Sequence, residues 1–191
     1  MHDVRRFLPH RADPQGDEKN NQMISQRRIF LPLKSPEKLR AGDFLLLNGS
    51  LAVARDSTLR KFLSSSRKSF PGDWAVFYCG PILRGSVVLA AGPTTSSRMD
   101  WALAGILSRG VNVVIGKGAL SEDVSAALMK RGVYLEAPGG AGALLASRVT
   151  AHRTIAYAQL GAQALRLFEV RDFPVIVSQD YKGRNIWRKK S

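Results

Sequence analysis

From Ile29 onward, short apolar runs rich in β-branched residues alternate with segments of helical period, whereas residues 1–28 are polar, charged and aperiodic. The runs Phe44 to Leu47, Ala75 to Cys79, Val87 to Ala91, Val111 to Ile115, Val133 to Leu135, Ile155 to Tyr157 and Val175 to Val177 have the length and composition of strands. Between Arg98 and Arg109, Met99, Leu103, Ile106 and Leu107 fall on one helical face. The stretch from Ser121 to Arg131 opens with Ser-Glu-Asp, which suits the positive end of a helix. Strands alternating with helices predict an α/β domain. Pro71-Gly72-Asp73 and Gly132 mark turns, and Ser64-Ser65-Ser66 reads as a polar connection. The pattern divides the chain into a polar arm at 1–28, a domain at 29–181 and a basic tail at 182–191.

The length of 191 residues with 45% apolar content suffices for one domain with its own core. No apolar run approaches the roughly 18 residues that cross a bilayer, and the first 25 residues lack an apolar signal core, so a cytoplasmic location is expected. Cys79 is the only cysteine, which excludes an internal disulfide and a cysteine cage built from this chain alone. The formal net charge of +14 raises nucleic-acid binding as an alternative function. Its distribution weakens that reading. Residues 1–40 hold nine basic and five acidic side chains, residues 182–191 five basic and none acidic, and the 141 residues between them only fifteen and ten. Arg184, Arg188, Lys189 and Lys190 read as a solvated tail, whose aromatic residues are limited to Trp187 and the nearby Tyr181.

Four segments place polar groups beside glycine or at the end of an apolar strand, where α/β proteins put their sites. They are Ala54-Arg55-Asp56 after Asn48-Gly49-Ser50, Gly92 to Asp100, Gly116-Lys117-Gly118, and Ala137 to Gly142. In the second, hydroxyl residues precede a helix start that favours an anion, and Arg98 adds a planar guanidinium suited to a carboxylate. The competing reading is that Thr95 or Ser96 caps the helix and Arg98 is a surface charge. Gly116-Lys117-Gly118 is not a nucleotide phosphate loop, because five residues separate Gly110 from Gly116 and Gly118 follows the lysine. It leaves a lysine between two glycines, where backbone can approach a ligand. Gly139-Gly140-Ala141-Gly142 lacks the spacing of a dinucleotide fingerprint and reads as a tight turn. His2 and His10 lie in the arm and His152 in a polar stretch, so no serine triad is assembled. Cys79, at the end of an apolar strand, reads as core.

Taken in order, these segments resemble the β subunit, or C-terminal domain, of class I fumarases and L-tartrate dehydratases. The likeness runs from Leu39-Arg40-Ala41-Gly42-Asp43 to Asp180 through Ala54-Arg55-Asp56, Tyr78-Cys79-Gly80-Pro81, Ala91 to Asp100, Ile115-Gly116-Lys117-Gly118, Gly139-Gly140-Ala141, Glu169-Val170 and Asp172-Phe173-Pro174. Its most specific element is Gly92-Pro93-Thr94-Thr95 followed by Arg98-Met99-Asp100. The resemblance implies a swivelling β/β/α domain, a mixed sheet flanked by helices, that closes over a dicarboxylate. The substrate would sit on a four-iron, four-sulfur cluster ligated by a separate α subunit, usually in an α2β2 assembly. Carried over by position, Arg55, Arg98 and Lys117 hold carboxylates, with Thr95 beside them, and Thr94 is the base, Lys117 sharing the catalytic role. The implied reaction is hydration of fumarate to L-malate, with dehydration of tartrate to oxaloacetate as the alternative. This sequence departs from the family where Ser57-Thr58-Leu59-Arg60 replaces the usual Ala-Ala-His-Lys, and where Gln159 and Gln163 stand at commonly acidic positions.

Overall fold

A computed structural model describes residues 26–66 and 75–187. In chain order the elements are β1 (Arg27–Phe30), β2 (Phe44–Ala54), α1 (Asp56–Ser64), β3 (Ala75–Tyr78), β4 (Ile82–Arg84), β5 (Val87–Ala90), α2 (Asp100–Leu107), β6 (Val113–Gly116), α3 (Glu122–Leu128), β7 (Val133–Glu136), α4 (Gly142–Ala146), β8 (Val149–Ala156) and β9 (Leu165–Gln179). Pro71-Gly72-Asp73 lies outside the described residues.

Seven strands form one mixed sheet in the order β1-β2-β3-β6-β7-β9-β8, and β2 also pairs antiparallel with β9. That extra pairing closes β2, β3, β6, β7 and β9 into a ring. Closure removes the free edges that an open sheet of these strands would carry. Period-two alternation then sorts side chains by face. Leu45, Leu47, Leu51, Val53, Phe77, Val113, Ile115, Val133 and Leu135 fill the ring interior with Phe168, Phe173 and Val177. Ala52, Ala54, Val76, Tyr78, Val114 and Tyr134 face outward into a second core beneath α1, α2 and α3. The expected mixed sheet flanked by helices is therefore the architecture found, and β4 and β5 add a small separate hairpin.

The strands β2 and β9 are much longer than their apolar runs. In β2 the chain passes through Asn48-Gly49-Ser50 without turning, because Gly49 takes φ +109°, and a Cβ there would lie 2.9 Å from the Leu31 carbonyl oxygen. Opposite it the pairing shifts from Leu47↔Phe173 to Gly49↔Val170, so Arg171 and Asp172 face a single residue. Asp172 adopts φ +50°, its amide donates to Asn48 Oδ1 at 3.1 Å, and its carboxylate accepts from Arg28 at 2.9 Å. This bulge changes strand parity once, which keeps both Val170 and Phe173 inside the ring.

Beyond Asp180 the chain remains attached to the domain. Arg184 donates to the buried Asp180 carboxylate at 2.6 Å, and the Trp187 indole N–H donates to Glu136 Oε1 at 2.5 Å. Among the described residues, no helix is long and apolar enough to cross a membrane.

Candidate functional site

The strands β2, β3, β6 and β7 run parallel, with Ala54 opposite Tyr78, Phe77 opposite Ile115 and Gly116 opposite Glu136. Their C-terminal ends therefore form one rim of the ring. Arg55 follows β2, Cys79-Gly80-Pro81 follows β3, Lys117 follows β6 and Ala137 to Gly142 follow β7. The segment after β5 is pinned into the same rim. Cys79 bridges Pro93, the Thr94 amide donates to the Tyr78 carbonyl at 2.7 Å, and the Ala91 amide donates to the Gly142 carbonyl at 2.9 Å. Thr95 pairs with Lys117 in a parallel bridge, and the Ser96 amide donates to the Lys117 carbonyl at 3.0 Å. All four segments singled out in the sequence thus meet at one end of the sheet, the position where strand-end loops build sites.

Two of the cations share a counter-ion. Asp56 Oδ2 lies 3.5 Å from Arg55 Nη2 and 3.8 Å from Arg98 Nη2. These separations are too long for tight hydrogen bonds, so the carboxylate draws the guanidiniums together without saturating them. Arg55 lies over Gly80, where a Cβ would come within 3.0 Å of its Cδ and Nη1, and its buried Nε has no hydrogen-bond partner. The Arg98 side chain remains 58% exposed and is free to turn toward an anion. The stem of Lys117 passes Gly139, whose added Cβ would be 3.7 Å from Lys117 Cδ.

Local structure departs from the sequence reading in detail. Arg98 lies in a 3-10 turn, Ser96–Met99, and α2 begins only at Asp100. Neither Thr95 nor Ser96 caps α2. Ser96 is buried and shares a 2.8 Å hydrogen bond with the Tyr134 hydroxyl. Leu59, at the position of the family histidine, is fully buried in the core under α1 and offers nothing to a ligand. Gln163 organises the start of α1 instead: its Oε1 accepts from the Ser57 amide at 3.0 Å, and its carbonyl accepts from the Thr58 hydroxyl. His152 lies on β8 against Phe168, with both ring nitrogens sealed from solvent and unpartnered. Tyr134 and Glu136 were not picked out from the sequence, and Asp56 was noted in its segment without a role. The available signal was the placement of Tyr134 and Glu136 two apart on one strand beside the Gly-Lys-Gly turn.

A cavity of about 380 Å³ opens beside Lys117 and Glu136, but Phe44, Leu46, Pro174, Ile176 and Trp187 make its remaining wall largely apolar. It excludes Arg55, Thr94 and Arg98, which stand at the rim rather than in this hollow. Nor does this chain fit an iron-sulfur cluster as its holder. Cys79 is its one cysteine, short of the several thiolates that such a cluster needs, and burial raises its thiol to about 12 against the opposing pull of the Arg55 charge. Among the described residues, no three His, Cys, Asp or Glu side chains gather as metal ligands.

The model of the family described as Fumarase C-terminus matches residues 2–190. This chain belongs to that fumarase C-terminal family. It is 33% identical over 173 residues to a Methanocaldococcus jannaschii protein named, provisionally, L(+)-tartrate dehydratase subunit beta, covering 83% of this chain and 89% of that one. The L(+)-tartrate dehydratase subunit beta of Escherichia coli K12 is 31% identical over 83% of this chain and 85% of its own length. The anaerobic class I fumarate hydratase of the same organism is 27% identical over 98% of this chain, which matches only 36% of that longer protein. The relatives of this fumarase C-terminal chain are thus named as hydro-lyases, both as separate subunits and as parts of longer chains.

Proposed function

We propose that this chain is the β subunit of a two-chain hydro-lyase that adds water to, or removes it from, a four-carbon dicarboxylate. Fumarate to L-malate is the reaction assigned first. The observation that carries the reading is the convergence of Arg55, Thr94, Thr95, Arg98 and Lys117 on one strand-end rim, with Arg55 and Arg98 drawn together by Asp56. The names of the M. jannaschii and E. coli relatives, which are called subunits beta, support the two-chain arrangement. An α2β2 assembly follows from the family resemblance.

In this reading Arg55 and Arg98 bind and orient carboxylates, Thr95 adds a polar contact, and Lys117 supplies a mobile point charge. Removing a proton next to a carboxylate accumulates negative charge, which these cations stabilise more strongly in the transition state than in the ground state. Thr94 takes the proton. A hydroxyl is a weak base near neutrality, so that role requires a neighbouring cation, with Lys117 one strand-bridge away through Thr95. The iron-sulfur cluster implied by the family would be held by the partner chain, because the single cysteine of this chain, the buried Cys79, cannot supply a ligand set by itself.

Dehydration of L-tartrate to oxaloacetate is the second reading, favoured by the names of the M. jannaschii and E. coli relatives. Anaerobic co-expression with the candidate α chain tests both readings through turnover of fumarate and L-tartrate by wild type, Thr94→Ala and Arg98→Ala. The expected result is turnover of one acid, lost in both variants, and no turnover by this chain alone. Turnover by the isolated chain would overthrow the division of labour.

A further inference from the structure

We propose that Tyr134 and Glu136 are positioning residues for Lys117, holding the peptide that joins it to Gly118, and that Trp187 ties the C-terminal segment into the same hold. The inference rests on the proposed role of Lys117 and extends it to residues without an assigned function. Residues 134 and 136 are two apart on β7 and project from one face, toward the turn that leaves the neighbouring β6. Three consecutive backbone groups of that turn are taken up. The Lys117 carbonyl accepts from the Ser96 amide at 3.0 Å, the Gly118 amide donates to Glu136 Oε2 at 2.9 Å, and the Gly118 carbonyl accepts from the Tyr134 hydroxyl at 2.8 Å. The peptide plane after Lys117 is therefore held from two sides, by the Thr95-Ser96 segment and by β7. Gly118 permits this at φ +76°, a region that side-chain-bearing residues rarely enter.

The proton inventory gives the arrangement one polarity. A phenol has one proton, and it is committed to the Gly118 carbonyl, so the Ser96 hydroxyl donates to the Tyr134 oxygen at 2.8 Å. Burial raises the Tyr134 phenol well above its ordinary range, which keeps it a donor. Both partners of Glu136 are N–H donors, the Gly118 amide and the Trp187 indole at 2.5 Å. A carboxylate offers an acceptor to each. A glutamine would point its amide N–H at one of them, leaving a donor facing a donor.

Two readouts test the inference. In the full-length chain, Glu136→Gln is expected to speed hydrogen exchange of the Gly118 amide by about tenfold or more, with Val53 and Val76 unchanged. In the assembled enzyme, Tyr134→Phe and Glu136→Gln are each expected to lower kcat/KM by about tenfold in the presence of Lys117, and to cost nothing further in a Lys117→Ala background. Trp187→Phe, which keeps an aromatic ring but loses the donor, gives a smaller loss of the same non-additive kind. Unchanged exchange at Gly118, or losses that persist in full without Lys117, would overturn the inference. Should the wild-type assembly turn over neither acid, the proposed function fails, while the exchange result still decides this point.

Discussion

Inside the ring, Leu51, Val53, Phe77, Ile115 and Leu135 are apolar and sealed from solvent. A residue or two further along the same strands, Arg55 and Lys117 stand at the rim with Thr94, Thr95 and Arg98, each at least partly accessible. The interior is filled by dispersion and burial and makes no demand on charge, whereas the rim keeps cations short of saturation, with Asp56 too distant to satisfy both arginines. Under the proposed function, stability and chemistry fall to different stretches of the same strands, and substitutions can separate them.

The largest effect is expected inside the ring. Phe77 packs edge-to-face on Phe173 at 5.3 Å between centroids, and Phe77→Ala is expected to cost about 3–5 kcal/mol in chemical denaturation. The kcat/KM of the fraction that remains folded stays near wild type. Arg55→Ala and Lys117→Ala are expected to show the reverse: a loss of about a hundredfold to a thousandfold in kcat/KM with the denaturation midpoint nearly unchanged. A rim variant that unfolds the chain, or an interior variant that silences it while folded, would break the separation.

Asp180 sharpens the comparison, since it is a buried charge on the side devoted to stability. Burial pushes its carboxyl up, but the amides of Ala41, Lys182 and Arg184 and the Arg184 guanidinium outweigh this and hold it below the usual carboxylate range. A depressed folded-state pKa stabilises above the ordinary carboxylate range and loses that contribution as pH falls through the folded value. Asp180→Asn is therefore expected to cost about 1–3 kcal/mol at pH 7 and to flatten the acid decline in a denaturation series below about pH 4. The smallest effect is expected at Gln163: Gln163→Ala removes the acceptor for the Ser57 amide and should cost about 1 kcal/mol by the same measurement.

The interior was legible in the sequence because strands buried on both faces read as continuous apolar runs, as in Val113-Val114-Ile115 and Val133-Tyr134-Leu135. The order of Arg55, Thr94, Arg98 and Lys117 was legible too, since each follows or precedes such a run. The extent of β2 and β9 was not. Asn48-Gly49-Ser50 and Asp172-Phe173-Pro174 carry turn residues, yet they face each other across a bulge that uses them without turning. The helix α1 escaped notice because Thr58, Leu59 and Phe62 are the only buried residues among nine. Ring closure was invisible for a different reason: pairing of β2 with β9 joins residues more than a hundred positions apart, which no local period reports. The contacts of Glu136 and Tyr134 with Gly118 span 18 and 16 positions, likewise beyond any local period.

The most direct measurement is a crystal structure of the assembled enzyme with a bound C4 dicarboxylate, reading the distances from its carboxylate oxygens to Arg55, Arg98 and Lys117. The expected result is all three cations within about 4 Å of carboxylate oxygens, with Thr94 facing the carbon between them. A bound acid seated elsewhere, with those three side chains directed to separate parts of the surface, would contradict the convergence on which the function rests.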